Sequence, residues 1–188
     1  DKTIWEVFEA ERGILIPAPK EFDGYRLKQC RVSSICLVHV DNNRYSAPCD
    51  AAGKPVQVKV YADRIKLVLG DKAIAEHKRE FGRDKTVYEP LHYVPLLERK
   101  PGALRNGVPF TTWKLPESME QIREALRRHD DWDRQFAAIL TAIPSRGLDV
   151  VAAACATALD QGTVSKDAVL SILNRQRDDM PEKAVSVP

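Results

Sequence analysis

The spacing of apolar residues changes character three times along this 188-residue chain. In residues 1–12, Ile4, Val7 and Phe8 fall on one face of a 3.6-residue repeat with Trp5 beside them, and Thr3 or Asp1 stands where an N-cap belongs. A short helix ending at Gly13 is expected. The following stretch ILIPAPKEFDGY carries Pro17 and Pro19, which cannot continue a helix and predict an extended connector. From about residue 27 to residue 81 the period falls to two. Val56, Val58 and Val60 alternate with Gln57 and Lys59, and Ile65, Leu67 and Leu69 alternate with Lys66 and Val68, the mark of strands with one buried face. Turn signals at residues 41–43, 52–54, 62–64 and 70–72 join four or five such strands into hairpins. So short and twisted an antiparallel sheet is expected to curl into a small β-barrel.

Periodicity then disappears. Residues 83–116 hold Pro90, Pro95, Pro101, Pro109 and Pro116, while Tyr88, Tyr93, Phe110 and Trp113 supply too much aromatic surface for a disordered linker. An ordered, extended strap lying across a neighbour is predicted. The helical period returns at residues 117–128 (Met119, Ile122, Ala125, Leu126), 130–143 (Phe136, Ile139, Leu140, Ile143) and 148–159 (Val151, Ala152, Cys155, Ala158). A fourth helix is capped by Ser165 and runs through Val169, Ile172 and Leu173. The resulting fold class is α+β: an N-terminal helix with its linker (1–26), a small antiparallel β-barrel (27–82), a Pro-rich extended strap (83–116), a C-terminal three- or four-helix bundle (117–177) and a loose tail (178–188).

Composition narrows the class. A 44% hydrophobic content suffices for a packed core, and no run approaches the roughly 20 apolar residues of a membrane span. The N-terminus lacks the pattern of a secretory signal, so a soluble protein with no membrane partner is expected; starting on Asp1 in mid-pattern, it reads as a piece of a longer chain. Cys30, Cys36, Cys49 and Cys155 have no Cys-x-x-Cys spacing, and His39, His77, His92 and His129 stand singly. Reduced thiols are expected and no metal ligands are assigned.

The net charge of +2 hides a strong division. Residues 26–105 carry 16 Lys/Arg against 9 Asp/Glu, whereas residues 1–25 carry 3 against 6 and residues 106–188 carry 10 against 12. A basic segment between acidic neighbours suits a polyanion-binding module, with an ordinary solvated surface as the plainer reading. Arg44, Lys54, Lys59, Arg64, Lys66, Lys78 and Arg79 sit at turns or opposite the apolar strand faces, and Arg83, Lys85, Arg99, Lys100 and Arg105 extend the set into the strap. These twelve are the candidate residues for contact with a polyanion. The turn DNN, placed on Asn42-Asn43, leads directly into Arg44, free for phosphate unless paired with Asp41 or Asp63, and into Tyr45, expected to pack inside. On the helical end, Phe136, Ile139, Leu140, Leu148, Ile172 and Leu173 are candidates for a partner-binding ridge. Asp130, Asp131 and Asp133 look like a metal cluster but fit helix capping better, and Glu6, Glu9 and Glu11 fit solvated positions on an amphipathic helix.

The segment VSSICLVHVDNNRYSAPCDAAGKPVQVKVYADRIKLVLGDKAIAEH, with REFGRDKTVYEPLHYVPLLERKPGALRNG after it, closely resembles the region behind the catalytic domain of IstA-type insertion-sequence transposases, relatives of phage Mu transposase and retroviral integrases. Asn43-Arg44-Tyr45-Ser46, Tyr61-Ala62-Asp63-Arg64 and residues 93–104 carry the match most specifically; the helical end matches less well. The resemblance implies a bacterial, cytoplasmic transposase whose catalytic carboxylates and their Mg2+ precede this segment. No catalytic residue and no cofactor are therefore assigned to this chain. It further implies double-stranded DNA at transposon ends, a homo-oligomer of the transposase and an AAA+ ATPase helper as partners. The rival reading is a protein-interaction adaptor whose helical end only oligomerises and whose barrel does not bind DNA.

Overall fold

A computed structural model describes residues 2–15 and 23–178. Asp1, Pro17, Pro19 and the expected loose tail after Asp178 lie outside them. Helix α1 (Ile4–Arg12) starts on a capping box: the Thr3 hydroxyl accepts from the Glu6 N–H, and the Glu6 carboxylate accepts from the Thr3 N–H at 2.8 Å. It buries none of its residues.

Among the described residues seven strands follow: β1 (Arg26–Arg31), β2 (Leu37–Val40), β3 (Asn43–Ser46), β4 (Pro55–Val60), β5 (Arg64–Leu69), β6 (Lys72–Lys78) and β7 (Thr86–Val87). They form two sheets instead of the closed barrel expected from the strand pattern. One is antiparallel in the order β1-β4-β5-β6; the other has the order β2-β3-β7, with β3 and β7 parallel. Closure fails because the outer edge of β3 is taken by β7, through Arg44 N–H to the Lys85 carbonyl and Asp84 N–H to the Asn42 carbonyl, and so never meets β6. The sheets instead face each other across one core in which Val38 and Tyr45 meet Val56, Val58, Ile65 and Leu67. The β2–β3 turn centres on Asp41 (φ 48°) and Asn42 (φ 66°), a two-residue reversal one position earlier than the sequence suggests. A bulge between Leu67 and Val68 interrupts the alternation of β5, so both side chains are buried.

The predicted strap is only partly extended. After β7 it forms short 3-10 turns at Pro90–His92 and Val94–Glu98, then one-turn helices α2 (Ala103–Asn106) and α3 (Val108–Thr111). Pro90, Pro95 and Pro109 occupy the first turns of these pieces, where a missing N–H costs nothing; the residues that exclude a long helix therefore start short ones. Tyr93, Val94, Leu97 and Phe110 from this segment enter the core of the helical end. That end contains α4 (Glu117–Leu126), α5 (Trp132–Leu140), the single turn α6 (Ile143–Arg146), α7 (Leu148–Asp160) and α8 (Lys166–Asp178). Pro144 opens α6, and Ser165 caps α8 by accepting from the Ala168 N–H. Small Ala154, Cys155 and Ala158 on α7 let α4 and α8 pack closely around Met119, Ile122, Leu126, Val169 and Leu173. No helix among the described residues is long and apolar enough to cross a membrane.

The two cores meet at a polar seam. The Tyr93 hydroxyl donates toward the carbonyls of Ile35 and Cys36, Ser46 Oγ lies 2.9 Å from His92 Nδ1, and His77 Nε2 lies 2.6 Å from the Ser46 carbonyl.

Candidate nucleic-acid interface

Residues facing one another across an antiparallel ladder project to the same side of the sheet. With Val56, Val58, Val60, Ile65 and Leu67 buried inward, the register Lys59↔Lys66↔Glu76 and Arg64↔Lys78 puts Lys59, Lys66, Arg64 and Lys78 together on the solvent face of the four-stranded sheet. Arg31 on β1 shares this face. The only carboxylate in these paired rows among the described residues is Glu76, which bridges Lys66 at 3.2 Å and Arg64 at 3.7 Å. Asp63 and Asp23 join at the margin, pairing with Arg64 at 3.3 Å and Lys59 at 3.7 Å. Two tyrosines brace the same end: the Lys59 ammonium lies 4.3 Å from the Tyr25 ring centroid, and the Arg64 guanidinium 4.1 Å from that of Tyr61. The face thus presents a cationic lattice whose strands are spaced about 4.8 Å apart, with its cations partly held in place by exposed, weak ion pairs.

A second cationic cluster surrounds Asp41. Its carboxylate accepts from Arg26 (2.6 Å), Lys28 (2.5 Å) and Arg79 (3.2 Å). The Lys28 hydrogen bond first, then the charges of Lys28, Arg26 and Arg79, hold the Asp41 carboxyl below its ordinary range despite partial burial. Arg79 also donates to the Tyr61 carbonyl at 2.8 Å, so it ties β6 to the β2–β3 turn and has little freedom for an outside phosphate. Sequence reasoning did not select Arg26, Lys28 or Arg31. β1 carries cations on both faces, so it lacks the one-sided apolar pattern that marks the other strands; only its count of cations in RLKQCR signals it.

The twelve candidates do not share one surface. Arg44 pairs across the ladder with His39, and its Nε donates to His39 Nε2 at 3.2 Å. Both lie on the outer face of the three-stranded sheet, on the far side of the core from Lys59 and Lys66. Neither Asp41 nor Asp63 is the partner of Arg44. Arg83 and Lys85 follow beside it, with Lys85 paired to Glu80 at 2.7 Å. Lys54 lies in the turn before β4, while Arg99 and Lys100 are exposed at the end of the second 3-10 turn. Among the described residues, Lys54, Lys78, Arg83, Arg99 and Lys100 form no ion pair. Arg105 is engaged, donating to Asp133 at 3.0 Å and to the Asp130 carbonyl at 3.1 Å.

The acidic run before α5 does not cap it as the sequence suggests. Asp131 occupies the N-cap position without accepting a backbone N–H; its side chain accepts from Gln135 instead, while Asp133 holds Arg105. The expected partner ridge is also corrected. Phe136, Ile139, Leu140 and Leu173 are buried in the bundle core, Ile172 is 9% exposed, and Leu148 packs against the same core. For all but the half-buried Leu148, the helical spacing marks the inside of the bundle.

Residues 16–89 match the family described as Mu transposase, C-terminal domain. Over its whole length the chain is 36% identical to the transposase for insertion sequences IS1326/IS1353 of Pseudomonas aeruginosa, of which it covers 38%. Over 94% of its length it is 35% identical to a transposase of Aminobacter aminovorans, covering 35% of that protein. Over 47% of its length it is 30% identical to the transposase for insertion sequence element IS232 of Bacillus thuringiensis subsp. berliner, covering 21%. The chain therefore spans less than two-fifths of the length of these relatives. No solved structure matches it.

Proposed function

We propose a function on one premise: the chain belongs to the insertion-sequence transposases and carries their Mu transposase C-terminal domain. In this reading it is a non-catalytic portion of such a transposase. It grips duplex DNA by the backbone through the solvent face of the four-stranded sheet, and so supports assembly of the transposase on transposon ends. The observation that carries the reading is the register that gathers Lys59, Arg64, Lys66 and Lys78 on one solvent-facing side of the sheet, with Glu76 between them and Asp23 and Asp63 at the margin. A strand face with long cations suits phosphate, because lysine and arginine stems let the charged heads follow the backbone while no helix enters a groove to read bases. Affinity is then largely sequence-independent and comes from released counterions. Phosphate competes with Glu76 for Arg64 and Lys66 and with Asp23 for Lys59, exchanging weak exposed ion pairs for contacts to the backbone.

The helical end, in the same proposal, recruits a partner AAA+ ATPase through its solvent-exposed side, since its apolar residues are used in its own core. Lysine acetylation of the full chain with and without a duplex of arbitrary sequence, mapped by mass spectrometry, tests the DNA reading. Lys59, Lys66 and Lys78 are expected to be protected and exposed Lys114 to react equally in both samples. Equal modification of all four lysines would favour the protein-interaction adaptor.

A further inference from the structure

The edge pair β1–β4 presents a different chemistry to solvent from that of β5 and β6. Its outward positions are Leu27, Gln29 and Arg31 on β1 and Pro55, Gln57 and Lys59 on β4, with no carboxylate among them. Gln29 and Gln57 stand directly opposite each other in the ladder, and both are exposed. Their neighbours are engaged, Arg31 with the Gly53 carbonyl and Lys59 with Asp23, whereas neither amide has a hydrogen-bond partner among the described residues. Leu27, one step along β1, is 50% exposed. The strip lies between two groups of cations. Lys66, Arg64 and Lys78 of β5 and β6 stand on one side, and Arg26 and Lys28, gathered around Asp41 beside the edge strand β1, stand on the other.

We propose that the β1–β4 ribbon lies in the major groove of the duplex and that Gln29 and Gln57 contact base edges there, favouring A·T pairs. The inference rests on the DNA reading above and adds to it: the cations supply affinity that is largely indifferent to sequence, and the amides supply a modest bias among sequences. Two strands about 4.8 Å apart, with their side chains, fit a groove roughly 12 Å wide, which admits a two-stranded ribbon. A carboxamide both donates and accepts. Its N–H donates to N7 of adenine while its oxygen accepts from the exocyclic amine, a pattern that no other base shows in the major groove. The thymine of the same pair turns a methyl group into the groove, and the apolar, half-exposed Leu27 suits it. Cations on both flanks of the strip then meet the phosphates of the two strands that border the groove. Because the ribbon is at the edge of the sheet, β5 and β6 stay outside the groove at the level of the backbone.

Fluorescence anisotropy of the full chain on A·T-rich and G·C-rich duplexes of equal length provides the test, with a third duplex in which 7-deazaadenine replaces adenine. That base lacks the major-groove acceptor and leaves the minor groove unaltered. The same three duplexes are titrated with a double variant, Gln29→Ala with Gln57→Ala. Both positions are exposed, so circular dichroism and melting are expected to match the parent. The parent is expected to favour the A·T-rich duplex by at least about fivefold, and 7-deazaadenine and the double variant each to remove most of that preference. The double variant keeps the salt slope of the parent, since it loses no cation. Equal affinity of the parent for the A·T-rich and G·C-rich duplexes would overturn the base contacts while leaving the salt-dependent grip on phosphate intact. A preference that survives both changes would overturn them too, since it reports duplex shape instead of base edges. A parent whose binding does not weaken with salt would overturn the DNA reading itself, and the base contacts with it.

Discussion

Asn43 shows how a residue's neighbours in sequence can misdirect its reading. The run DNN identifies a turn correctly, but the turn uses Asp41 and Asn42, and Asn43 is the 1% exposed first residue of β3. Its amide donates to the carbonyls of Glu80 (3.0 Å) and Gly82 (3.3 Å), and its side-chain oxygen accepts from the Lys85 N–H at 3.1 Å. These partners lie about forty positions away, so nothing local reveals them. Asn43→Ala is expected to lower stability by about 1–3 kcal/mol, the cost of leaving buried backbone groups unpaired, as read from urea unfolding at constant m value. Arg44→Ala, at an outward position without an ion pair, is expected to change stability by less than about 0.5 kcal/mol. Glu76 carries the opposite expectation for binding. Glu76→Gln removes the anion that competes with phosphate for Arg64 and Lys66, and is expected to tighten duplex binding a few-fold at low salt, measured by fluorescence anisotropy. Lys59, Lys66 and their shared face were legible because alternation around Val56, Val58 and Val60 fixes which way each side chain points.

Among the elements, the connecting segment holds the least legible structure. Its prolines exclude long helices, yet whether they break or begin a turn depends on where the preceding residues pack, and here Tyr93, Val94 and Leu97 pull the turns onto the bundle. Five of the six apolar residues assigned to a partner lie in the bundle's own core for a related reason: amphipathic spacing shows that a helix face is covered but not by what. The seam built by this segment makes a pH prediction. Burial first, and then the neighbouring His77, pushes His92 down to about 4, and burial also lowers His77. The folded state therefore holds both imidazoles neutral while the unfolded chain protonates them near pH 6.5. Their contribution to stability is complete above about pH 6.5 and is lost as pH falls toward 4. Melting temperature is expected to decline across that interval, and His92→Gln is expected to lower it at pH 7.5 while flattening the decline. The lowered Asp41 carboxyl acts only at lower pH, since it costs stability as pH falls below its unfolded value of 3.8.

For the whole molecule, the division of charge was legible and its placement was not. Sixteen cations against nine carboxylates in residues 26–105 lead to the expectation of an anion-binding region, but two facing sheets send them to opposite sides of one core, and the ladder register shows which belong together. Closure into a barrel was expected because hairpin strands were counted without the parallel β7, a two-residue strand too short to leave a period. In the proposed reading the four-stranded face, and not the face bearing Arg44, holds DNA. Its most direct test is the slope of log affinity against log salt for a duplex of arbitrary sequence, compared between the parent chain, a front variant with Lys59, Arg64, Lys66 and Lys78 changed to Gln, and a back variant with Arg44, Arg83 and Lys85 changed to Gln. The front variant is predicted to bind with a slope shallower by about 0.9 for each phosphate it no longer neutralises, and the back variant to keep the parent slope; an unaltered slope in the front variant would contradict the account.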